Sequence, residues 1–191
     1  MAKVMISVSG IRGIVGQGLS PELIVQYSSA AGTFYGPGNV LVGRDSRPTG
    51  EMVMSAVYAG LCAAGCSPVD LGICSTPTVE LAVQNTDAVG GIIITASHNP
   101  VEWNALKLLS SEGVFLNESQ GSELKRIIDA EDYSYVSWDR VGRVSARGGA
   151  TEEHIDAILQ LPFINAEAIR ERNYRVAYDC VNGAGGTILP L

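Results

Sequence analysis

The segment Gly90–Pro100 constrains the fold more than any other part of the chain. It contains three successive isoleucines, Ile92–Ile94, followed by Thr95. A β-branched run of this kind predicts a strand, here over 92–97, that is buried on both faces. Such a strand requires covering layers on both sides of its sheet. Pro100 disfavours helical geometry at the residue before it, so the strand is expected to end in a tight turn.

The turn at the end of this strand carries Ser97, His98 and Asn99 in succession. Ligands bind at the carboxyl ends of strands in open α/β sheets. A purely structural turn does not need threonine, serine, histidine and asparagine within five positions. We therefore expect the Ser97 hydroxyl, held beside an imidazole and an amide, to belong to a functional site.

Helices and strands are predicted to alternate on the amino-terminal side of this segment. Ser20 and Pro21 are typical of a helix start, an apolar stripe at helical spacing follows them, and Gly36 ends it. The other elements expected here are helices over 50–64 and 76–84 and strands over 39–43 and 68–71. This alternation is typical of an α/β fold with a mixed, mainly parallel sheet and helices on both faces.

The rest of the chain is predicted to complete this domain and to begin another. The elements expected are a strand at 105–109, a helix at 117–128, either a strand pair or an ordered crossover at 131–150, a helix capped by Thr151–Glu153 that reaches Leu161, a short helix capped by Asn165, a strand at 175–179 and a helix from Thr187. They divide the chain into an α/β domain (1–150), a helical linker (151–172) and the truncated start of a second α/β domain (173–191). A lone strand with half a helix cannot bury its own apolar face, so we expect the chain to be a fragment.

Composition disfavours several classes of function. The formal net charge is −7 and no basic stripe is present, so nucleic acid is not an expected partner. No apolar run is long enough to span a bilayer, and the apolar stretch within Met1–Ser7 is too short for a signal peptide. The four cysteines form no CxxC pair, so we expect free thiols in a reducing cytoplasm rather than a disulfide or a zinc site.

Two cationic side chains elsewhere in the sequence are candidates for the same site as Ser97. Arg12 lies between two glycines, which let the backbone approach a ligand, and its guanidinium suits bidentate contacts with phosphate. Lys107 lies on a predicted strand that can return its ammonium group to the same edge of the sheet. A solvent-facing position is the alternative for both cations.

The turn Arg44–Pro48 follows a second buried strand. Asp45 lies between Arg44 and Arg47, an order that predicts an internal ion-pair network. Two interpretations are open at this point. Either the network fixes the conformation of the loop, or its arginines contact a ligand.

Taken together, these turns resemble those of the α-D-phosphohexomutases, a family that includes phosphoglucomutase, phosphomannomutase and phosphoglucosamine mutase. The resemblance rests on Thr95–Pro100 with Asn104 and Lys107 after it, on Ser9–Gly13, on Gly43–Pro48 and on Asp179–Gly183. The four motifs occur in the family's order. They cover nearly the whole chain and match the family's first domain and the beginning of its second.

The resemblance implies a reaction and a set of site residues. By it, Ser97 gives a phosphoryl group to a free hydroxyl of a sugar monophosphate and then receives the other phosphate of the hexose 1,6-bisphosphate that forms. Lys107 is the implied proton-transfer group, and Arg12 and His98 complete the catalytic set. The residues implied in binding phosphate or sugar are Ser9, Arg44, Asn99 and Asn104. A Mg²⁺ ion is expected on the phosphate of Ser97, because hard cations prefer phosphate oxygen.

The chain departs from the family's pattern in several places. The family's aspartate-rich metal loop, its sugar-recognition loop and its later phosphate-binding loop are absent from this sequence. We therefore expect the chain to be inactive alone, and glucose, mannose and glucosamine phosphates stay open as substrates. Ala105 stands where the family usually has glycine and is expected to tighten a local turn. Trp103 either stacks on a sugar or packs within its turn.

Other classes of protein fit the sequence less well. Ser97 and His98 are adjacent, so in extended geometry their side chains point to opposite faces, which disfavours a serine hydrolase. The only other histidine, His154, is expected to cap a helix or to lie on its surface. No P-loop or GxGxxG sequence follows a predicted strand. A non-catalytic phosphate- or phosphosugar-binding module of the same fold is the remaining alternative.

Overall fold

The structure is a computed structural model that describes residues 4–190, and the predicted absence of a signal peptide over Met1–Ser7 therefore lies partly outside the described residues. The strands are β1 (Met5–Ser7), β2 (Gly10–Ile14), β3 (Asn39–Arg44), β4 (Ser67–Ile73), β5 (Gly90–Ile94), β6 (Trp103–Leu109) and β7 (Ser145–Ala146). The helices are α1 (Pro21–Tyr35), α2 (Gly50–Ala63), α3 (Thr76–Gln84), α4 (Glu118–Asp129), α5 (Ala150–Leu159), α6 (Ala166–Glu171) and α7 (Gly185–Ile188).

All seven strands belong to one mixed sheet in the order β1-β2-β6-β5-β3-β4-β7. The pairs β5–β3, β3–β4 and β4–β7 are parallel, as expected for strands joined through helices. The pairs β1–β2, β2–β6 and β6–β5 are antiparallel. The predicted α/β fold with a mixed sheet is confirmed, although three of its six strand pairs are antiparallel, so the sheet is not mainly parallel. The strand expected at 105–109 lies between β2 and β5.

The sheet has a hydrophobic core on each face, because alternate residues of its central strands point in opposite directions. Ile92 and Ile94 belong to a core that also contains residues of α1, α2 and α4. Ile93 and Leu41 belong to a second core, with residues of α3 and the first residue of α5. Every residue of β5 is buried, so the prediction of a strand covered on both faces is confirmed.

Capping side chains determine where several helices begin. The hydroxyl of Ser20 accepts a hydrogen bond from the Leu23 N–H, and Pro21 opens α1 as predicted. Asn117 and Gln120 form a reciprocal capping box at the start of α4. The prediction for α5 was wrong in detail, because the helix begins at Ala150 with a glycine at its cap and Thr151 makes no capping hydrogen bond.

The segment between α4 and α5 is an ordered crossover, which settles one open alternative. Its only strand is the two-residue β7, and backbone hydrogen bonds tie it to the end of α2, from Val136 to Ala63 and from Gly142 to Cys62. Position 142 is tightly packed, since a Cβ there would overlap the carbonyl oxygen of Cys66. A hairpin would have needed a second extended segment in register with the first.

The strand predicted at 175–179 is not formed. These residues have no ladder partner within the described part of the chain, and Val176 is 83% exposed. The apolar pattern of the sequence favours an extended segment, but a strand also needs a neighbour to bond with. The strand predicted over 92–97 also ends earlier, at Ile94, although the Thr95 N–H still bonds the carbonyl of Ala105.

Two expectations drawn from composition can be compared with the structure. The four cysteines are free thiols, as predicted. Across residues 4–190, none of the helices combines the length and the apolar character that a membrane crossing requires.

Candidate active site

A cleft of about 350 Å³ lies along β2 and β6 and is closed at one end by the turn after β5. Arg12, Lys107, Ser97 and Ser9 all line it. In the antiparallel ladder Gly10 faces Lys107 and Arg12 faces Ala105, so both cations lie on the same face of the sheet as diagonal neighbours. Diagonal partners of this kind are about 7–8 Å apart at their backbones, a separation that leaves room for an anion between long side chains.

The floor between the two cations is made of small residues. A Cβ at position 10 would overlap the carbonyl oxygen of Leu106, so only glycine allows β2 to approach β6 this closely. Ala105 lies in the strand itself, buried opposite Arg12. The expectation that Ala105 tightens a turn was wrong, because its methyl group instead forms part of the cleft floor.

Within residues 4–190, neither positive charge in this cleft has an acidic partner. The ion pairs found within residues 4–190 involve neither Arg12 nor Lys107. The guanidinium of Arg12 approaches the Met5 sulfur at 3.7 Å, and the Lys107 ammonium lies 5.7 Å from the centre of the Phe115 ring. Two cations without counter-ions in one cleft of an acidic protein favour an anionic ligand.

Ser97 occupies an exposed turn in an unusual backbone conformation. Its φ is 55°, in the left-handed region that residues with a side chain rarely adopt. Its N–H donates to the hydroxyl of Thr95 at 3.3 Å, and its carbonyl accepts from Arg47 at 3.0 Å. Non-glycine residues in this region cluster at functional sites, where the surrounding structure fixes them.

The turn that follows β3 holds residues 95–103, here called the serine turn, in place. Arg47 donates to carbonyl groups of the serine turn, whereas Arg44 points to the start of α2 and pairs with Glu51 at 3.3 Å. Asp45 accepts hydrogen bonds from Arg47 and from the hydroxyl of Thr95. The geometry supports the first of the two interpretations left open for this turn, in which the ion-pair network fixes the conformation of the loop.

A second cavity of about 610 Å³ lies on the other side of the serine turn. Ser97 and Asn99 line one wall of it, and the turn around Asn182 lines the opposite wall. The hydroxyl of Ser46 donates to the carbonyl of Asn182 and so joins the two walls. Val181 and Asn182 both have positive φ, 44° and 58°, which makes this the second strained turn beside Ser97.

The structure does not gather all of the predicted site residues. Asn104 is fully buried and bonds the Thr49 hydroxyl at 3.1 Å, and Arg44 lies with α2, so neither lines the two cavities. His98 is exposed and lines neither cavity, while the Asn99 amide bonds the carbonyl of Ala96 at 2.6 Å.

Two side chains with open interpretations are packed. Trp103 is partly buried at the start of β6, in line with packing rather than with sugar stacking, and its carbonyl accepts from Arg47. His154 bonds the Thr78 hydroxyl at 3.0 Å and thereby connects α5 to α3. Neither lines the cleft that contains Arg12 and Lys107.

Arg47 is the residue that sequence reasoning undervalued. The sequence predicted for it either an ion pair with Asp45 or a ligand contact, whereas in the structure it donates to four carbonyl groups of the serine turn. A signal was available, because β3 and β5 are parallel neighbours whose carboxyl ends share one edge of the sheet. The turns that follow them were therefore bound to meet.

The described residues do not assemble a metal site from protein ligands alone. No group of three or more histidine, cysteine, aspartate or glutamate side chains within residues 4–190 is arranged to hold a metal ion. The carboxylate beside the serine turn, Asp45, is already engaged by Arg47 and Thr95. These residues alone therefore do not fit a Mg²⁺ ion.

Comparisons with known proteins show to which family the chain belongs. Residues 3–135 match the family described as "Phosphoglucomutase/phosphomannomutase, alpha/beta/alpha domain I". A protein of Pyrococcus abyssi named as a probable phosphoglucosamine mutase is 37% identical over 95% of this chain, and the chain spans 39% of its length. The phosphoglucosamine/phosphogalactosamine mutase of Sulfurisphaera tokodaii is 33% identical over 95% of the chain and 40% of its own length.

A solved structure shows the same fold. The crystal structure of a phosphoglucomutase/phosphomannomutase family protein from Burkholderia thailandensis superposes with a TM-score of 0.69, at 24% identity, over 81% of this chain and 36% of that one. The chain therefore belongs to the phosphoglucomutase/phosphomannomutase family, and its residues 3–135 form the family's α/β/α domain I.

Proposed function

We propose that the protein to which this chain belongs interconverts hexose 1-phosphates and hexose 6-phosphates through a phosphoserine at position 97. The observation that carries the proposal is the cleft itself, in which Ser97 shares a wall with Arg12 and Lys107, two cations without acidic partners. A phosphoserine carries nearly two negative charges at neutral pH. Phosphoryl transfer is catalysed mainly by positioning and by neutralising such charge.

The first half of the reaction transfers the phosphoryl group to the sugar. The oxygen of a free sugar hydroxyl attacks phosphorus, and the bond from phosphorus to the Ser97 Oγ breaks. The Lys107 ammonium donates a proton to the departing Oγ and recovers one from the attacking hydroxyl, so charge and protons balance. Arg12 stabilises the equatorial phosphate oxygens. The product is a sugar bisphosphate.

The second half of the reaction reverses these steps with the other phosphate. The bisphosphate presents its second phosphate to Ser97, whose Oγ attacks phosphorus while the bond to the sugar oxygen breaks. The proton of Oγ passes to Lys107, and the sugar oxygen receives one from it. A hexose 1,6-bisphosphate is thus both the intermediate and the species able to reload an unphosphorylated enzyme.

The roles of the remaining predicted residues follow from their positions. Ser9 lines the cleft and is proposed to contact phosphate, and Asn99 lines the second cavity and is proposed to contact substrate. For His98 we propose a contact with phosphate on the exposed side of the turn. Arg44 and Asn104, which lie with α2 and Thr49, are proposed to act on the site only through the loops that they hold.

A Mg²⁺ ion on the phosphate of Ser97 is part of the proposal, with the phosphate as the single ligand that this chain supplies. The steps above use only protein groups. Because relatives are named for amino-sugar phosphates, glucosamine phosphate is the first substrate to assay. We propose a cytoplasmic location, in line with the free thiols.

The test is the substitution Ser97→Ala in the full-length protein, with Ser122→Ala as the matched control on the exposed face of α4. We expect Ser97→Ala to lower turnover by about three orders of magnitude or more, since the group that carries phosphate is gone. The control is expected to keep the parental rate. Normal turnover by Ser97→Ala would exclude the proposal.

A second assay separates the reaction from binding alone. We expect the isolated 191-residue chain to show no mutase turnover, because the described residues offer no metal site of their own and the curated relatives are more than twice as long. Robust turnover by the isolated chain would contradict this expectation. Binding of a phosphosugar by the full-length protein without any turnover would instead favour a non-catalytic module.

A further inference from the structure

We infer that Arg47 is a positioning residue for Ser97, acting through the backbone of the serine turn rather than on the substrate. The inference rests on the proposed function, because it concerns how the same serine is held. In the sequence Arg47 stands two residues after Asp45 in the Gly43–Pro48 motif, and that motif does not indicate which groups its side chain contacts. Its hydrogen bonds in the structure do.

The serine turn needs an external support. Ser97 has a φ of 55° although it carries a side chain, and a backbone conformation of this kind persists only when its surroundings fix it. The turn is exposed at Ser97 and His98, so packing contributes little to holding it there. Hydrogen bonds to its backbone are therefore the main source of order.

Arg47 supplies these hydrogen bonds from one planar group. Its Nη2 donates to the carbonyl oxygens of Ser97 at 3.0 Å and Asn99 at 2.7 Å. Its Nη1 donates to the carbonyl oxygens of Pro100 at 2.6 Å and Trp103 at 3.1 Å. One guanidinium thus gathers four carbonyl groups from the whole length of the turn.

Asp45 fixes Arg47 and extends the support to the other side of Ser97. The Nε of Arg47 donates to the Asp45 carboxylate at 3.1 Å, and the same oxygen accepts the Thr95 hydroxyl at 2.8 Å. The Thr95 hydroxyl in turn accepts the Ser97 N–H at 3.3 Å. Both the N–H and the carbonyl of Ser97 are therefore connected to one ion pair.

The hydrogen-bond donors of the Arg47 side chain are all in use, which distinguishes a positioning role from phosphate binding. A guanidinium has five N–H donors, and each of them has an acceptor within the protein here. The side chain is only 11% exposed. Arg47 has no donor left for a phosphate, unlike Arg12 in the neighbouring cleft.

This arrangement predicts which replacement fails. Lysine keeps the charge but offers three donors from a single atom, so it cannot reach four carbonyl groups spread along the turn. Loss of the planar group would let Ser97 leave its left-handed conformation. A displacement of about 1 Å at a reacting atom is enough to lower a rate about 100-fold.

The experiment compares Arg47→Lys with Arg147→Lys in the full-length protein. Arg147 is a matched control, because it is also a partly buried arginine that holds a carboxylate, Glu153, but it follows the edge strand β7 and its partner lies on α5. We expect Arg47→Lys to lower kcat about 10- to 100-fold with KM changed less than about threefold. Hydrogen exchange should accelerate in residues 95–103, and Arg147→Lys should leave kcat and that exchange unchanged.

A second variant guards against misfolding of the first. Thr95→Val keeps the shape of the side chain but removes the hydroxyl that connects Ser97 to Asp45, and we expect it to lower kcat in the same direction. The inference is overturned if both variants keep kcat within about twofold of the parent while Ser97→Ala is inactive. It is also overturned if Arg47→Lys lowers only the melting temperature and leaves kcat per folded molecule unchanged. Full activity in Ser97→Ala would instead reject the proposed function.

Discussion

The residues up to the end of α5 and the residues after it both include apolar segments that favour strands. The surroundings of these segments are very different. Ile92–Ile94 and Val176–Tyr178 are both apolar and both favour extended backbone. The first segment is buried between parallel and antiparallel neighbours, whereas Val176 is 83% and Tyr178 63% exposed and their segment forms no strand. The difference shows that strand propensity becomes structure only where a neighbouring strand and a covering layer are present.

The two regions also contribute differently to the candidate site. The cleft with Arg12 and Lys107 is built wholly from the first region. The second cavity takes one wall from the turn at Asn182, which touches the first region through Ser46. The proposed phosphate-binding cleft thus rests on strands, and one wall of the second cavity rests on a turn with few buried residues.

The sharpest test of this contrast is a pair of identical substitutions in the two regions. Leu106 is fully buried in β6, and Leu189 is 55% exposed. We expect Leu106→Ala to lower the free energy of unfolding by about 2–5 kcal/mol, because it leaves a cavity in the core. Leu189→Ala should change it by less than about 0.5 kcal/mol. Urea unfolding of the 191-residue chain measures both, and equal effects would show that the second region is packed.

Two thiols of the first region, Cys66 and Cys74, should react about 100-fold more slowly than an unburied thiol. Burial raises the pKa of Cys66 and of Cys74 to about 11, from a usual value near 9, so at pH 8 their reactive thiolate forms are scarcer by about two orders of magnitude. Cys180 in the second region is only partly buried. Alkylation followed by peptide mass analysis should label Cys180 first.

The same shifts fix the sign of the pH dependence. Since the folded-state pKa of both buried thiols is raised, their protonated forms stabilise the fold below pH 9, and this contribution is lost as the pH rises from 9 to 11. If the alkylation experiment labels Cys66 early at pH 8, the packing between α2 and β4 must open readily. The variant Cys66→Ala should reduce the loss of stability above pH 9.

The smallest expected difference concerns two asparagine caps. Asn117 caps α4, which buries Leu124 and Ile127, and Asn165 caps α6, which buries none of its residues. We expect Asn117→Ala to lower the free energy of unfolding by about 1 kcal/mol. Asn165→Ala should leave it unchanged within about 0.5 kcal/mol, since α6 contributes little to the core. Similar losses in both variants, measured by urea unfolding, would contradict the contrast.

Local signals in the sequence predicted most of the first region. Ser20 with Pro21 located the start of α1, because capping is decided within one turn of the chain, and the helix predicted over 117–128 was found as α4. The cap proposed at Thr151 and the strand proposed at 175–179 were wrong. The cap was wrong because the helix begins before Thr151, at Ala150, with Gly149 as its cap. The strand was wrong because it needs a neighbouring strand, and the sequence of the segment does not contain that information.

The candidate site divides in the same way. Thr95–Pro100 was identifiable because its polar residues interrupt a buried strand, and the motif order pointed to Arg12 and Lys107. The register that places these two cations on one face could not be predicted, since it depends on β2 pairing with β6 across a long separation in sequence. The role of Arg47 could not be predicted for a related reason. Its partners are main-chain carbonyl groups, which occur at every position and leave no signal in the sequence.

On one face of the sheet a helix covers some strands and the cleft lies on others, and this determines which substitutions the protein can accept during evolution. On the face that holds Lys107, α3 packs against β3 and β5, while β2 and β6 form the floor of the cleft. Along β6, Leu106 and Leu108 belong to the hydrophobic core, whereas Ala105 and Lys107 lie on the face that forms the cleft. Substitutions at the cleft-facing positions of β6 can therefore change what the cleft binds, while the core-facing positions between them preserve the fold.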